Sequence, residues 1–420
     1  MTRGAGSARF LLAVLILLAL GLSGCIKVLS TDPAKNSSDV SRISIIKVVF
    51  NSSPNAATVN QSTFFIKDEA GNLVDGGITL SGTQATFMPK QILATHTTYS
   101  VTLTSGIKDS LGLPMLGGYT FKFTTNDTTE KNVTDAPADQ FDPAISGDLV
   151  VYTDFSGVDA DVWYTDLTTG LAYPVSTAPG DQQLTGVSDG RIAYTDWNTM
   201  DVLVYDVASH TTLNITNAAG SNSLDPALGG VLIAWTDDRD GNADIYALNL
   251  ATSEERRITS DMLVDEAPAV GDGIIVWERC DGYACDVFAY DWSTGATTQL
   301  TATPWASERF PDVSGRTVVF QREQGTPIDK NIVAFDLDTL SEIVLPLSGD
   351  QENAHISGNY VSYNDSASGL PHIGLWDLSS GCHFEMTSNP AGQYLNDIDG
   401  NRIVYSDNRD YTLDIFICMF

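Results

Sequence analysis

The stretch Asp225 to Thr259, DPALGGVLIAWTDDRDGNADIYALNLATSEERRIT, decides the fold of this chain. Read for period, it holds a short apolar strand ending in Gly229-Gly230 and a second strand ending in Ala234-Trp235. A polar Asp-Gly-Asn turn follows, then a third strand beginning Asp244-Ile245-Tyr246, and a fourth ending in Arg257-Ile258-Thr259. Alternating apolar positions broken by turn residues predict a four-stranded meander. The unit recurs. The aromatic that closes the second strand falls at Tyr152, Tyr194, Trp235, Trp277, Phe320, Tyr363 and Tyr405, at intervals of 42, 41, 42, 43, 43 and 42 residues. Third strands open at Asp161, Asp201, Asp244, Asp286, Asn331, His372 and Asp414. A small sheet cannot bury both of its faces alone, so seven such units imply radial stacking into a seven-bladed β-propeller.

The ends of this segment predict how the ring closes. The seventh unit stops after its third strand, Asp414 to Phe420, while Asn132-Val133-Thr134 matches the fourth-strand pattern Asn214-Ile215-Thr216. An open ring exposes two sheet edges, so the segment around Val133 is expected to supply the missing strand. The propeller is read over residues 130–420.

The N-terminal part divides into three. Arg3 and Arg9, an apolar run from Phe10 to Leu20, and Leu22-Ser23-Gly24-Cys25 form an export signal over residues 1–24, too short for a stable membrane span. Residues 25–41 are polar from Ser30 onward and read as a flexible tether. Residues 42–125 switch to short alternating strands, among them Ile45–Phe50, Thr63–Ile66, Ala85–Phe87, Tyr99–Leu103 and Tyr119–Phe123, which imply a β-sandwich. The fold class is therefore all-β: an Ig-like sandwich followed by a propeller.

Three resemblances attach to these residues. Leu22-Ser23-Gly24-Cys25 resembles a prokaryotic lipobox, which implies a diacylglyceryl group on Cys25 and attachment to a membrane through that lipid alone. Ser62-Thr63 before Phe64-Phe65, Ala85-Thr86-Phe87-Met88-Pro89, Gly106 to Gly112 and the closing Phe121-Lys122-Phe123-Thr124-Thr125 resemble the bacterial Ig-like domain of the S-layer type, whose members serve as spacers or adhesion units on surface proteins. The repeat motif, Pro-Ala-Leu-x-Gly, Ile-Ala-Trp-Thr-Asp and Asp-Gly-Asn-x-Asp-Ile-Tyr in the third unit, resembles TolB-type, WD40-like propeller repeats. Hydrolases with such a propeller add a catalytic domain, for which no room follows before Phe420.

Cysteine and charge narrow the function. Besides Cys25 there are Cys280, Cys285, Cys382 and Cys418, an even set that in an exported chain suggests two disulfides. Cys280 and Cys285 flank the turn of the fourth blade. Cys382 and Cys418 would bridge neighbouring blades. The whole chain carries a formal charge of −31, and from Glu130 onward there are 12 basic against 46 acidic residues. Such a surface repels nucleic acid and anionic lipid, and favours cations or basic partners; it also suits adaptation to salt.

Candidate sites are few. Gln140, Gln182, Ser223, Asp265, Glu308, Gln351 and Gln393 each lie just before a first strand, the innermost of its blade, and are expected to ring the mouth of the central channel with His355 nearby. The same register would serve a repeated structural bond between blades. The five histidines are scattered, and no Gly-x-Ser-x-Gly, HExxH or phosphate-binding glycine loop occurs. The expectation is accordingly a lipid-anchored, non-enzymatic protein of the cell surface that binds an envelope protein or glycan. The alternatives are a metal-dependent polysaccharide enzyme at the channel mouth, with Gln351, Glu308 and His355 holding a divalent cation such as calcium, and a purely structural envelope component.

Overall fold

A computed structural model describes residues 26–126, 130–216, 220–387, 389–409 and 411–420. The export signal and Cys25 lie outside the described residues. The chain divides into two compact units between residues 128 and 129.

The first unit is a sandwich of two four-stranded sheets. One runs in the order Val28–Asp32, Ile46–Phe50, Gln84–Pro89, Gly76–Ser81, and the other Ser37–Val40, Tyr119–Thr125, Thr98–Leu103, Phe64–Lys67. Their inner faces alternate as a period of two requires: Val48, Phe50, Phe64, Ile66, Phe87, Val101, Phe121 and Phe123 are all buried in one core. The tether expected over residues 25–41 is corrected. Ile26 is buried in that core, Val28–Asp32 pairs with Ile46–Phe50, and Ser37–Val40 pairs in parallel with Tyr119–Thr125. Both segments are sheet-edge strands, which hold on through backbone hydrogen bonds and so show little apolar pattern.

The second unit consists of seven four-stranded antiparallel meanders. The third, for example, comprises Ser223–Gly229, Leu232–Asp237, Asp244–Asn249 and Glu254–Arg257. The apolar clusters lie between blades rather than within them. Trp235 of the third blade packs with Ala193, Val202 and Val204 of the second. Trp277 of the fourth packs with Ala234, Ile245 and Ala247 of the third. At roughly 1.5–3 kcal/mol for each large apolar side chain fully buried, the interfaces between blades supply the main favourable term.

The ring closes as the sequence pattern implies. Lys131–Asn132 pairs antiparallel with Asp414–Met419, and Val133 N–H donates to the Ile415 carbonyl at 2.7 Å. The closing segment also repeats the side-chain signature of an ordinary outer strand. In the second blade, Thr216 Oγ1 donates to Asp201 Oδ1 at 3.1 Å, Val202 N–H donates to Thr216 Oγ1 at 3.1 Å, and Asn214 Nδ2 donates to Asp201 Oδ2 at 2.9 Å. In the seventh, Thr134 Oγ1 donates to Asp414 Oδ1 at 3.1 Å, Ile415 N–H to Thr134 Oγ1 at 3.0 Å, and Asn132 Nδ2 to Asp414 Oδ2 at 3.3 Å. A strand from the beginning of the domain thus occupies the socket that Asp414 offers.

Thr134→Ala leaves the buried Asp414 carboxylate and the Ile415 N–H each short of a partner. It should cost about 1–3 kcal/mol, read as a lower urea midpoint, whereas Lys131→Ala, exposed on the same strand, should change little. Equal midpoints for the two variants would show that the strand does not clamp the ring.

Candidate functional site

Six of the innermost strands carry a β-bulge two residues past Gln140, Ser223, Asp265, Glu308, Gln351 and Gln393. The pairing register shifts between Phe141 and Ala144, Leu224 and Ala227, Glu266 and Ala269, Arg309 and Asp312, Glu352 and His355, and Tyr394 and Asn396. The bulged residue adopts positive φ at Asp142, Asp225, Ala267, Phe310, Asn353 and Leu395, which only glycine adopts without strain. The bulge determines what faces the axis.

The residues expected at the channel mouth do not reach it. Gln140, Gln182, Ser223, Asp265, Glu308, Gln351 and Gln393 are all buried, most of them completely. Each stands opposite a residue fourteen positions on: Asp154, Asp196, Asp237, Arg279, Arg322, Asp365 and Asp407. Gln140 Nε2 donates to Asp154 at 3.2 Å and Gln393 Nε2 to Asp407 at 3.0 Å. In the fourth and fifth blades the polarity is exchanged. Asp265 pairs with Arg279 at 2.7 Å, and Glu308 with Arg322 at 2.8 Å. In the third and seventh blades an arginine two residues on answers the second-strand acid: Arg239 bonds Asp237 at 2.6 Å and Arg409 bonds Asp407 at 2.5 Å. The arginines stack over third-strand aromatics, Arg239 on Tyr246, Arg279 on Phe288 and Arg409 on Phe416. These positions lock strands together inside each blade. Glu308 and Gln351 therefore do not join His355 around a metal: Glu308 Oε1 accepts from Arg322 at 2.8 Å, and neither residue is among those lining the channel.

What does line the channel is the residue just past the bulge. Ala144, Gly186, Ala227 and Ala269 form one arc, and Asp312, His355 and Asp397 form the other, around a cavity of 450 Å³. His355 Nδ1 stands 3.6 Å from Asp312 Oδ2 and 3.8 Å from Asp397 Oδ1. Backbone donors fix the carboxylates: Ile356 N–H donates to Asp312 Oδ2, and Ile145 N–H to Asp397 Oδ2, both at 2.8 Å. Asp142 and Asp225 lie nearer the rim, and Gln183 Nε2 donates to Asp142 at 3.1 Å. No lysine or arginine is among the lining residues.

This electrostatic setting moves pKa values upward. Burial pushes Asp397 up to about 6, with the His355 charge and the Ile145 N–H pulling the other way. For His355 burial acts downward, but Asp312 and the charge of Asp397 outweigh it and raise the imidazole above its usual value. Burial also raises Asp142 and Asp225. The channel thus holds protons near neutrality and attracts cations.

Of the cysteine expectations, Cys280–Cys285 is a disulfide across the end of the fourth blade's hairpin. Cys382 and Cys418 are corrected to buried thiols. Each is seated within its own strand, with the Cys382 Sγ near the Ser380 carbonyl and the Cys418 Sγ near that of Met419. Glu278 Oε and the two sulfurs of the disulfide lie within 4.8 Å of one another. That group does not fit a metal: the sulfurs are bonded to each other, and Glu278 already accepts from Arg309 at 3.2 Å and from Phe310 N–H at 3.0 Å. Asp312, His355 and Asp397 offer two carboxylates and an imidazole, donor types that a divalent cation takes, and each of the four carboxylate oxygens also accepts a backbone N–H, from Val313, Ile356, Ile398 and Ile145.

Comparison with known proteins places both units. Residues 25–125 match the bacterial Ig-like domain family. No curated protein matches the chain in sequence. Among solved structures, an oligogalacturonate lyase from Vibrio parahaemolyticus superposes with a TM-score of 0.55 at 10% identity, covering 70% of this chain and 94% of its own. An oligogalacturonate lyase in complex with manganese gives 0.55 at 12%, covering 70% and 93%. The β-propeller domain of the Trilobed protease from Pyrococcus furiosus, described as having an open velcro topology, gives 0.52 at 15%, covering 67% and 95%. At these identities the likeness is one of fold. It corrects the expectation of a non-enzymatic chain, which rested on the scattered histidines, the lack of catalytic motifs and the want of a separate catalytic domain. In the lyases the propeller is nearly the whole protein, so such a domain is not needed for this fold to belong to an enzyme.

A pH dependence follows. A carboxyl whose folded pKa is raised contributes stability that is fully present below its unfolded value near 4 and is lost as pH rises through about 6. His355, also raised, adds to the same trend. In chelator, wild type should therefore lose stability relative to Asp397→Asn between pH 4.5 and 7.5. A gap between the two denaturation curves that stays constant over that range would remove the titration from Asp397.

Proposed function

We propose that this is an exported protein held at the outer face of a membrane by a lipid on Cys25, and that its propeller takes a positively charged group of an envelope protein or glycan into the acidic channel. The observation that carries the reading is the lining itself: four aspartates and a histidine, with no lysine or arginine, around a cavity large enough for a side chain or a sugar. A low-dielectric channel of one sign focuses its field and concentrates ligands of the other. The Ig-like module, a type found on bacterial surface proteins, supports the extracellular location.

The lyases' named substrate does not transfer with their fold. An oligogalacturonate is a chain of sugar carboxylates, and Asp142, Asp225, Asp312 and Asp397 would repel it. One observation favours a second reading. Asp312, His355 and Asp397 suit a divalent cation, and a neighbour of the same fold is known in complex with manganese. A cation there would supply positive charge against which an acidic sugar is bound and polarised. Asp312 and Asp397 would hold the cation with carboxylates that backbone bonds already fix, and His355 would complete the set through Nδ1, the ring nitrogen that faces both. On this reading the chain is a metal-dependent enzyme acting on polysaccharide.

The two readings separate in a binding assay. A lysine-rich peptide and an oligogalacturonate are titrated against the full chain, in chelator and in manganese. The first reading expects the peptide to bind in chelator, more weakly as salt rises, and to lose about tenfold or more in Asp312→Asn/Asp397→Asn. The second expects the sugar to bind in manganese alone. Binding of neither ligand under either condition counts against both.

Lipid attachment has its own test. Cys25→Ala should move the protein from the detergent phase to the aqueous phase on partition of whole cells. An unchanged distribution would show that Cys25 anchors nothing.

A further inference from the structure

In an antiparallel meander, the connections between second and third strands and those leading from one blade to the next emerge at one end of the ring. The other hairpins emerge at the opposite end. The exposed aromatic residues of the loops follow this division. Phe155, Trp197, Tyr283, Trp305 and Tyr411 all belong to the first end, while among the described residues the large hydrophobic side chains exposed in the turns of the other end are aliphatic, such as Val231 and Leu340.

The densest part of that end spans the third to fifth blades. Met262 is 91% exposed, Tyr283 98%, Trp305 75% and Ile328 60%, and Leu263 and Phe310 are exposed as well. The loops that carry Met262, Tyr283 and Trp305 are bonded to one another. Val264 pairs with Cys280 in the sheet, and Arg279 reaches Asp261 at 2.8 Å. Cys285 N–H donates to Ser307 Oγ at 3.0 Å, and Phe310 N–H donates to Glu278. The patch is therefore continuous. It is also rigid where it projects furthest. The Cys280–Cys285 disulfide closes the hairpin whose tip is Tyr283, and Asp281 Oδ1 accepts from Tyr283 N–H at 2.8 Å and Ala284 N–H at 3.0 Å.

We infer that this patch, centred on Tyr283 and Trp305, is a docking surface for a basic polypeptide. Aromatic and methionine side chains, exposed and already ordered, are the anchors that protein interfaces use, and a rigid tip loses little entropy on binding. The sign of the partner follows from where the positive charges go. Of the 12 basic residues from Glu130 onward, 11 are held in ion pairs. In this sector Arg279 is spent on Asp261 and Asp265, Arg309 on Glu278, Arg322 on Glu308 and Glu342, and Lys330 on Glu352. The remaining acids set the field. That field opposes nucleic acid, an anionic lipid surface and a second copy of this chain alike. The inference goes beyond the channel reading and does not depend on it.

The test uses the full chain and three probes: a twenty-residue peptide alternating lysine with leucine and tryptophan, its glutamate-for-lysine counterpart, and a neutral glucan oligosaccharide. Affinities are measured by fluorescence anisotropy for wild type, Tyr283→Ala/Trp305→Ala, Tyr283→Phe and Asp312→Asn/Asp397→Asn. The lysine peptide alone should bind wild type. The double alanine variant should lose at least tenfold, Tyr283→Phe should keep affinity within about twofold, and the channel variant should still show the tenfold difference when combined with the alanine pair. Both patch residues are exposed, so folding is not at stake. The proposal fails if wild type does not bind the lysine peptide, if the alanine pair binds within twofold of wild type, or if the glucan binds as tightly. Loss in the channel variant alone would uphold the channel reading and overturn this one.

Discussion

A four-stranded sheet that is apolar on both faces is stable only when both are covered, and in this chain each blade covers its neighbours. That mutual burial makes the ring an all-or-none object: the clusters around Trp235 and Trp277 belong to pairs of blades, and Val404, Ile415 and Ile417 of the seventh blade pack with Ile145, Val150 and Tyr152 of the first. Closure therefore completes the core as well as the sheet. The segment from Lys131 to Thr134 does both at once, pairing with the last strand and filling the Asp414 socket. Nearest-neighbour stabilisation of this kind has no natural end except a circle.

Polar residues inside the blades solve a second problem. The first strand begins deep in the ring, where an unpaired polar group costs several kcal/mol. Glutamine against aspartate, aspartate against arginine and glutamate against arginine are three answers to the same requirement, used at equivalent places in one chain. The arginines required by this arrangement are partly buried and paired. A sequence with few basic residues places nearly all of them in ion pairs, so the excess of acidic residues faces no unpaired cation but Lys131 among the described residues of this unit.

This arrangement also explains what the sequence made legible. The period of the closing aromatics exposed the seven blades, and the Asn-x-Thr pattern exposed the closing strand, because both reflect bonds made in every copy. The direction of the residues before each first strand was hidden. A period of two places Gln140 and Glu308 on a definite face only if the strand is regular, and a bulge intervenes in each case examined above, from Asp142 to Leu395. Four of the six positive-φ positions are Asp, Ala or Asn and none is glycine, so no residue announced the kink. Ser30–Ser41 was hidden for a different reason. Edge strands bind through main-chain groups, and only Ile26, Val28 and Val40 mark the buried side. The pairing of Cys280 with Cys285 was readable from a hairpin; Cys382 and Cys418, on strands of different blades, had no local geometry to declare them.

Seven copies of one unit provide an internal comparison that a single site cannot. At the position just past the bulge, four blades close the ring with Ala144, Gly186, Ala227 and Ala269, so the fold itself demands neither charge nor size there. Three consecutive blades instead place Asp312, His355 and Asp397 at that position. The carboxylates do bond the next blade's backbone, but a propeller that closes four of its seven steps without such groups does not need them for closure. Their cost is visible in the raised pKa of Asp397, which burial holds near 6. Groups that strain against their surroundings on one side of a channel, while the equivalent places opposite are left small, are arranged around something other than the fold: they leave room on one wall and chemistry on the other.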